Sequence, residues 1–335
     1  MAAVSSVEVE ADEEGLRLDR WFKRHYPGLT HGNLEKLLRT GQVRLDGKRA
    51  KSNQRIEAGQ VVRVPPMDGD TSQPPRPAPK RADLSKDELK ELQGWVLYRD
   101  DDVIAINKPA GLAVQGGTKT SHHLDAMLDG LRFGSKERPR LVHRLDRDTS
   151  GVLLLARSPK AATALAEAFR DKTARKLYWA IVAGVPSPEQ GEIDLPLGKV
   201  PGQHGERVVA RAEGGKRAVT DFRVLDIVAK TAAWVALSPQ TGRTHQLRVH
   251  MAALGTPILG DGKYGGRAAF IEADGVVSAL HLHARALRLP HPRGGVLEVV
   301  APLPRHFEAT IKALGFDPAI VRTAEDVRRD LRDAR

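Results

Sequence analysis

Apolar positions recur along this chain first at helical spacing and later in strand-like runs. Leu18, Trp21 and Phe22 fall on one face of a short helix. Thr30 can cap a second helix whose apolar face is Leu34, Leu37 and Leu38, and Gly41 ends it. Val43 and Leu45 alternate into Asp46-Gly47, a two-residue hairpin signal, and Gly59-Gln60 leads into a last strand, Val61 to Val64. Six prolines (65, 66, 74, 75, 77 and 79) then fall within fifteen residues. Such a segment cannot build a core, so it reads as an extended tether ending in a short charged helix, Ser85 to Leu92.

From Trp95 the pattern changes. Val103 to Ile106 is a buried-strand run that stops at Lys108-Pro109-Ala110-Gly111, where Pro109 cannot continue a ladder. Val152 to Ala156 and Tyr178 to Val182 are further strands, and between them a helix from Ser158 carries Ala161, Leu165 and Phe169 on one face. Val219 to Leu225, Trp234 to Leu237 and Val296 to Val300 complete the strand set, and Thr323 to Arg335 reads as a capped, exposed helix. Strands outnumber helices and do not alternate with them. The pattern therefore predicts an α+β domain on a mixed, largely antiparallel central sheet with flanking helices and loops. The predicted layout is a small domain at 1–66, a Pro-rich linker at 67–93, a larger domain at 94–315 and a helical tail at 316–335.

Composition narrows the class. At 335 residues the chain has room for two domains, and 41% apolar content can fill their cores. There is no cysteine, which removes disulfides, thiolate metal ligands and cysteine nucleophiles. No run of about 18 apolar residues offers a membrane span. The first residues show no basic segment followed by an apolar stretch, so the expected location is the cytoplasm. A net charge of +11 favours a polyanionic partner. The excess is concentrated: residues 16–65 hold twelve Lys or Arg against four acids. Two short helices and a basic hairpin would gather Arg39, Arg44, Lys48 and Lys51 near one surface, suited to phosphates in a salt-dependent, sequence-tolerant way. The signature from Asp19-Arg20-Trp21 through Glu35-Lys36-Leu37-Leu38-Arg39-x-Gly41-x-Val43-x-Leu45-Asp46-Gly47 resembles an S4 RNA-binding module. That resemblance adds Arg20 to the expected RNA contacts. RNA held by a tethered module is at raised effective concentration for the second domain.

The densest chemistry lies at His143-Arg144-Leu145-Asp146-Arg147-Asp148-Thr149-Ser150-Gly151, just before a buried strand. An Asp flanked by Arg stays ionised, available as nucleophile or base. The same stretch could also be a structural ion-pair cluster. A hydrolase triad is a poor reading, because sequence neighbours rarely form one and no nucleophile elbow is present. A glycosidase would need a second acid, and Asp148 is the sole close candidate. Gly111-x-x-x-x-Gly116 begins like a phosphate loop, but Gly117 stands where Lys is needed. His281 and His283 could share a strand face as metal ligands, yet no third ligand is suggested, so they read as strand-packing residues. His122-His123 reads as a polar loop.

The stretch 143–151 resembles the catalytic motif of the RluA-type RNA pseudouridine synthases, and other segments agree in the family's order. These are Val103 to Gly111 with its Lys108-Pro109 turn, Arg175-Lys176-Leu177-Tyr178-Trp179-Ala180-Ile181-Val182-x-Gly184, and Thr241-Gly242-Arg243-Thr244-His245-Gln246-Leu247-Arg248-Val249-His250-Met251. Gly260-Asp261-x-x-Tyr264-Gly265, Leu282-His283-Ala284 and Ala301-Pro302-Leu303-Pro304 close the pattern. One departure is Gln115, where relatives often carry histidine. The resemblance implies a pseudouridine synthase fold and isomerisation of uridine to pseudouridine, with no metal or cofactor. Its partner would be large-subunit (23S) ribosomal RNA or a ribosomal precursor particle, met by a monomer without membrane attachment. It also implies roles: Asp146 catalytic, Tyr178 stacked on the base with a hydroxyl able to assist proton transfer, and Arg243 pairing with Asp146. Arg144 would enter the space left by the extruded uridine, Leu247 would floor the site, and Lys108 would contact substrate. A competing expectation is a non-catalytic RNA-binding assembly factor on the same scaffold, or a family member acting on other ribosomal or transfer RNA uridines.

Overall fold

The computed structural model describes residues 4–10, 13–66, 84–116, 122–202, 205–211 and 213–320. They fall into two compact units divided after residue 80. The six-proline tether and the C-terminal helix expected from Thr323 lie largely or wholly outside the described residues.

The N-terminal unit follows its sequence pattern closely. Strand β1 (Ser5–Glu8) precedes helices α1 (Leu18–His25) and α2 (His31–Arg39), the hairpin β2 (Arg44–Leu45) and β3 (Lys48–Arg49), and β4 (Val61–Val64). The sheet order is β1-β4-β2-β3, all antiparallel. Leu18, Trp21 and Phe22 are buried with Leu34, Leu38 and Val62 in one core. The Thr30 side chain accepts from the Asn33 backbone N–H at 3.3 Å, satisfying a helix-start donor. Asp46 (φ 50°) and Gly47 (φ 75°) both take the left-handed conformation that a two-residue hairpin turn requires. Arg20, Arg39, Arg44, Lys48 and Lys51 are all exposed. The sequence pattern did not suggest β1, whose residues are mostly solvent-facing.

The larger unit begins with α3 (Lys86–Gly94), then β5 (Val96–Arg99), β6 (Val103–Lys108), the short α4 (Leu124–Met127), β7 (Arg140–Leu141) and β8 (Ser150–Ala156). It continues through α5 (Pro159–Arg170), β9 (Arg175–Ala183), β10 (Gln190–Asp194), the hairpin β11 (Leu197–Gly202) and β12 (Gly205–Ala210), β13 (Val219–Val228) and β14 (Ala232–Pro239). Helix α6 (Gln246–Ala253), β15 (Leu282–Pro290), β16 (Val296–Val300) and α7 (Arg305–Leu314) complete it. The ten-stranded sheet runs β10-β13-β14-β9-β15-β8-β6-β5, with β16 added to β15 and β7 to β8. Every pairing is antiparallel except β15 with β8.

Helices cover both faces of this sheet. Ile104, Ile106, Leu153 and Leu155 pack with Leu92 of α3 and Leu124 of α4, while the alternate residues Val103, Ala105, Val152 and Leu154 pack with Ala161 and Leu165 of α5. On β9 and β14, Trp179, Ile181 and Trp234 meet Phe307 and Ile311 of α7; Ala180, Val182 and Val235 meet Leu247 and Met251 of α6. Strands buried on both faces show continuous apolar runs rather than alternation, as β8 does. Two expected boundaries shift. Leu92 is fully buried in the larger unit's core, so α3 belongs to that unit rather than to the linker. Phe316 packs against the cluster around Trp234, so the core extends past residue 315.

The parallel pair depends on Gly151. Its φ is 111°, and a Cβ there would lie 2.2 Å from the Ala284 carbonyl oxygen, so no side chain fits between β8 and β15. This close approach fixes the start of β8, and with it the loop that carries Asp146.

Candidate active site

The 142–149 loop is held from inside. Leu145 is buried in the core beside Ile106 and Leu153. The Arg147 carbonyl accepts from Gly111 N–H at 2.9 Å and from Lys108 Nζ at 2.9 Å. Thr149 N–H donates to the Asp146 carbonyl at 3.2 Å, closing a turn. With residue 145 turned inward, Asp146 faces a cavity of about 680 Å³ and its side chain is 20% exposed. The walls come from this loop, the end of α5, the start of β9, and the segment joining β14 to α6. Asp146 is the sole acid among the lining residues, against seven Lys or Arg. That balance makes a strongly positive bowl around one carboxylate.

Several expected residues converge here. Tyr178 on β9, Arg144, Leu247, Arg243 and Asp146 all line the cavity. Burial, and then the charge of Asp146, push the Tyr178 phenol well above its usual pKa. At neutral pH it is a neutral donor and an aromatic surface, not a phenolate. Leu247 is 6% exposed and supplies an apolar floor from the first turn of α6.

Three roles require correction. Lys108 does not line the cavity; its side chain is fully buried and Nζ donates to the carbonyls of Pro109, Leu112 and Arg147 at 2.7, 2.9 and 2.9 Å. All three ammonium protons are spent on backbone, so it clamps two loops together and has none left for substrate. Burial pulls its pKa to about 8, although Asp148 and Asp146 favour the charged form. Second, Arg147 does not flank Asp146 as a counter-ion, because its Nε pairs with Asp148 at 3.0 Å on the surface. Third, Arg243 is exposed; its Nε donates to the Arg217 carbonyl at 3.1 Å, and its backbone N–H donates to Gln246 Oε1 at 3.0 Å.

The guanidinium in the field of Asp146 is Arg248 instead. His245 takes a left-handed conformation (φ 54°) at the start of α6, and Arg248 lies in the buried stretch Gln246 to Met251 of that helix. Arg248 forms a two-pronged bond with Asp261, Nε–Oδ2 2.8 Å and Nη2–Oδ1 2.7 Å, and Asp261 is 1% exposed. Burial opposes the Arg248 charge, yet the bond to Asp261 and the fields of Asp261 and Asp146 hold its pKa above the usual arginine value. Sequence reasoning had both arginines in one motif. The distinguishing signal was that Arg248 sits among Leu247, Val249 and Met251, an apolar setting that demands a buried partner.

His245 was also missed. Its Nε2 lies 3.9 Å from Asp146 Oδ1, and its Nδ1 lies 2.6 Å from the Tyr264 hydroxyl. Burial first, then Arg248 and Lys263, push its pKa down against the pull of Asp146 and Asp261, so the imidazole is neutral near pH 7. In the tautomer that accepts at Nδ1 from the Tyr264 hydroxyl, Nε2 carries the N–H that faces Asp146.

His283, His281 and His123 have structural partners. His283 Nδ1 meets Ser150 Oγ at 2.9 Å across the parallel pair, and His281 Nε2 meets Thr310 Oγ1 at 2.9 Å. His123 is not in a polar loop; its Nδ1 accepts from Ala126 N–H at 3.2 Å and caps α4. Among the described residues no group of three or more His, Cys, Asp or Glu could hold a metal ion.

Residues 102–253 match the RNA pseudouridylate synthase family model. The chain is 37% identical over 321 residues to a ribosomal large subunit pseudouridine synthase C of Vibrio cholerae, covering 92% of this chain and 96% of the relative. The protein of that name from Escherichia coli K12 is also 37% identical, covering 93% and 97%. The solved human RNA pseudouridylate synthase domain containing 4 superimposes with a TM-score of 0.56 at 32% identity, over 68% of this chain and 95% of that one.

Proposed function

The chain belongs to the RNA pseudouridine synthase family, and on that premise we propose that it isomerises specific uridines of 23S large-subunit ribosomal RNA, with Asp146 as the catalytic residue. The reaction breaks the bond between ribose C1′ and uracil N1, turns the base, and joins C1′ to C5. A proton leaves C5 and one is gained at N1, so atoms balance without an added reagent.

The observation that carries this reading is a solitary carboxylate at the base of a basic bowl. RNA phosphates are drawn by the Lys and Arg walls, and the one anionic side chain is reserved for chemistry. The target must leave its helix to reach Asp146, at a cost of a few kcal/mol that basic contacts offset. Arg144, exposed at the mouth, would occupy the vacated space. Tyr178 would lie against the flipped base, with Leu247 opposite. Its raised pKa makes its hydroxyl a hydrogen-bond donor in the resting state; it accepts the C5 proton only in concert with transfer elsewhere. Arg248, braced by Asp261, sets a guanidinium in the field of Asp146, and His245 Nε2 faces the carboxylate at 3.9 Å. Arg243 joins the RNA-contacting rim. Arg20, Arg39, Arg44, Lys48 and Lys51 of the S4-like N-terminal unit would grip RNA more broadly.

The test is Asp146→Asn, assayed by chemical mapping of pseudouridine in 23S RNA from cells carrying wild-type or variant chain, beside RNA binding in vitro. We expect binding within about threefold and no product. Normal turnover by the variant would refute the assignment. Retained binding with no product from the wild type either would favour the assembly-factor reading.

A further inference from the structure

Lys108, fully buried, and Lys176, half-buried on the cavity wall, differ in a way that the proposed reaction leaves unexplained. Lys108 and Lys176 both have pKa values drawn down to about 8 by burial. Lys108 has three carbonyl acceptors and the fields of two aspartates. Lys176 has one long bond, Nζ to the Thr241 carbonyl at 3.4 Å, and the charge that bears on it is that of Lys172, another cation. The other ionisable groups on the cavity walls are His143 and Arg144 in the loop before β8, Arg170 at the end of α5, Arg175 and Tyr178 on β9, Arg243 and His245 before α6, and Arg248 on α6, besides Asp146. His143 cannot supply a charge of either sign at neutral pH, because its pKa is held near 3 by burial and by Lys176 itself. Asp146, the sole acid on the cavity wall, is absent from the charges bearing on Lys176.

A cation partly withdrawn from water without a counter-charge carries a desolvation cost. A fold keeps one where an anion completes it. The position says which anion. Lys176 and Tyr178 are two residues apart on β9, so their side chains leave the same face about 6.6 Å apart. Both line the cavity. If Tyr178 lies against the flipped uracil, Lys176 is one strand step away, on the side of the α5 and Lys172 wall.

We propose that Lys176 is the anchor for a backbone phosphate of the nucleotide strand at the flipped uridine, an anion subsite built into the strand that carries Tyr178. This rests on the RNA-modifying reading above. The subsite holds the extruded nucleotide by its backbone, leaving base and ribose to Asp146 and Tyr178. Its selectivity is for a phosphodiester over a free nucleoside, whatever the surrounding sequence.

The test uses the full chain with in vitro transcribed 23S RNA, comparing wild type with Lys176→Met and Lys176→Arg, and measures binding in an Asp146→Asn background. With Met we expect KM to rise about tenfold or more, with kcat changing by no more than about threefold. The slope of log affinity against log salt should become shallower by about 0.7–0.9, the value of one lost phosphate contact. Arg should restore most of both. The thermal midpoint of the free protein should hold or rise with Met, since a half-buried charge without a counter-ion is removed; a merely structural lysine would give a fall. In ¹³C-dimethyl-lysine spectra the Lys176 resonance should titrate near pH 8 in the free protein and at higher pH when RNA is bound. Unchanged KM and salt slope in Lys176→Met, with wild type active, would overturn the anchor and leave the function standing. Loss of wild-type pseudouridine formation would instead overturn the function.

Discussion

The bond between Arg248 and Asp261 holds the site's geometry, and breaking it tests that dependence. Asp261→Asn preserves shape but replaces a carboxylate oxygen with an amide N–H₂ facing a guanidinium. Arg248 is 8% and Asp261 1% exposed, so water cannot make up the loss. Removing one partner of a buried, two-pronged pair costs about 3–5 kcal/mol, because the other charge is left uncompensated. For a domain of this size each kcal/mol moves the midpoint by about 2–4 °C, which predicts a fall of about 6–20 °C. The Arg248 guanidinium would then turn to the other carboxylate whose field it feels, Asp146. That would pull Asp146 off its line to the ribose, and a displacement near 1 Å costs about a hundredfold in rate. The assay is thermal unfolding of wild type, Asp261→Asn, Arg248→Met and the double variant, with single-turnover pseudouridine formation on each. The double variant should regain much of the stability lost in Asp261→Asn, since Met fills the site without a charge, but it should regain no activity. A midpoint shift under 2 °C in Asp261→Asn, or a coupling energy near zero in the cycle, would refute the argument.

Two further outcomes follow from the structure. His143 and His283 have pKa values held near 3, and His281 near 4, by burial, against about 6.5 in an unfolded chain. The unfolded state therefore binds more protons between about pH 3 and 6.5; stability from these groups is complete above that window and is lost as pH falls through it. Urea unfolding at pH 7, 5.5 and 4.5 should show a steadily smaller free energy, and a flat profile would mean that these rings are not held neutral. In the N-terminal unit, replacing Arg39, Arg44, Lys48 and Lys51 by Gln should leave the fold intact, since all four side chains are exposed, and should lower the salt slope of RNA binding by about 3–4 if each meets a phosphate. An unchanged slope would place RNA contact elsewhere.

What could be read in the chain, and what could not, divides along a physical line. Helices α1 and α2 and the Asp46-Gly47 turn were legible because the small unit has one core and one solvent side, so polarity reports position. Strands β6, β8 and β9 were legible as apolar runs. The central strand β15, between β9 and β8, was read only at its start, through the strand-packing His281 and His283. Its Leu282 to Ala286 alternate apolar with polar, but His283 and Arg285 are buried too, so the alternation did not mark a solvent face and the strand's extent was missed. The edge strand β10 and the β11–β12 hairpin were missed for the opposite reason, being short of apolar residues. Helix α6 is buried from Gln246 to Met251, which erases the amphipathic stripe. The choice between Arg243 and Arg248 turned on the apolar neighbours of Arg248, Leu247, Val249 and Met251, a signal the shared motif obscured.

The site's layout also explains why its parts come from such distant stretches of chain. A parallel strand pair cannot be closed by a tight turn, so β8 and β15 must be joined by a long crossover. That crossover carries β9 through α6, and it returns to lay Ala284 against Gly151 with no room for a side chain. Tyr178, Ala284 and Leu282 share neighbouring positions, since Ala284 pairs with Tyr178 on one side and with Gly151 on the other. The start of β8 and the strand holding Tyr178 are thus placed relative to each other through one shared residue. Backbone spacing between strands is fixed to a few tenths of an ångström. From Gly151 back to Asp146 the loop is then held by Leu145 in the core and by Lys108 on the Arg147 carbonyl. The polar groups around it, Arg248 with Asp261 and His245 with Tyr264, hold orientation and charge on a frame already in place.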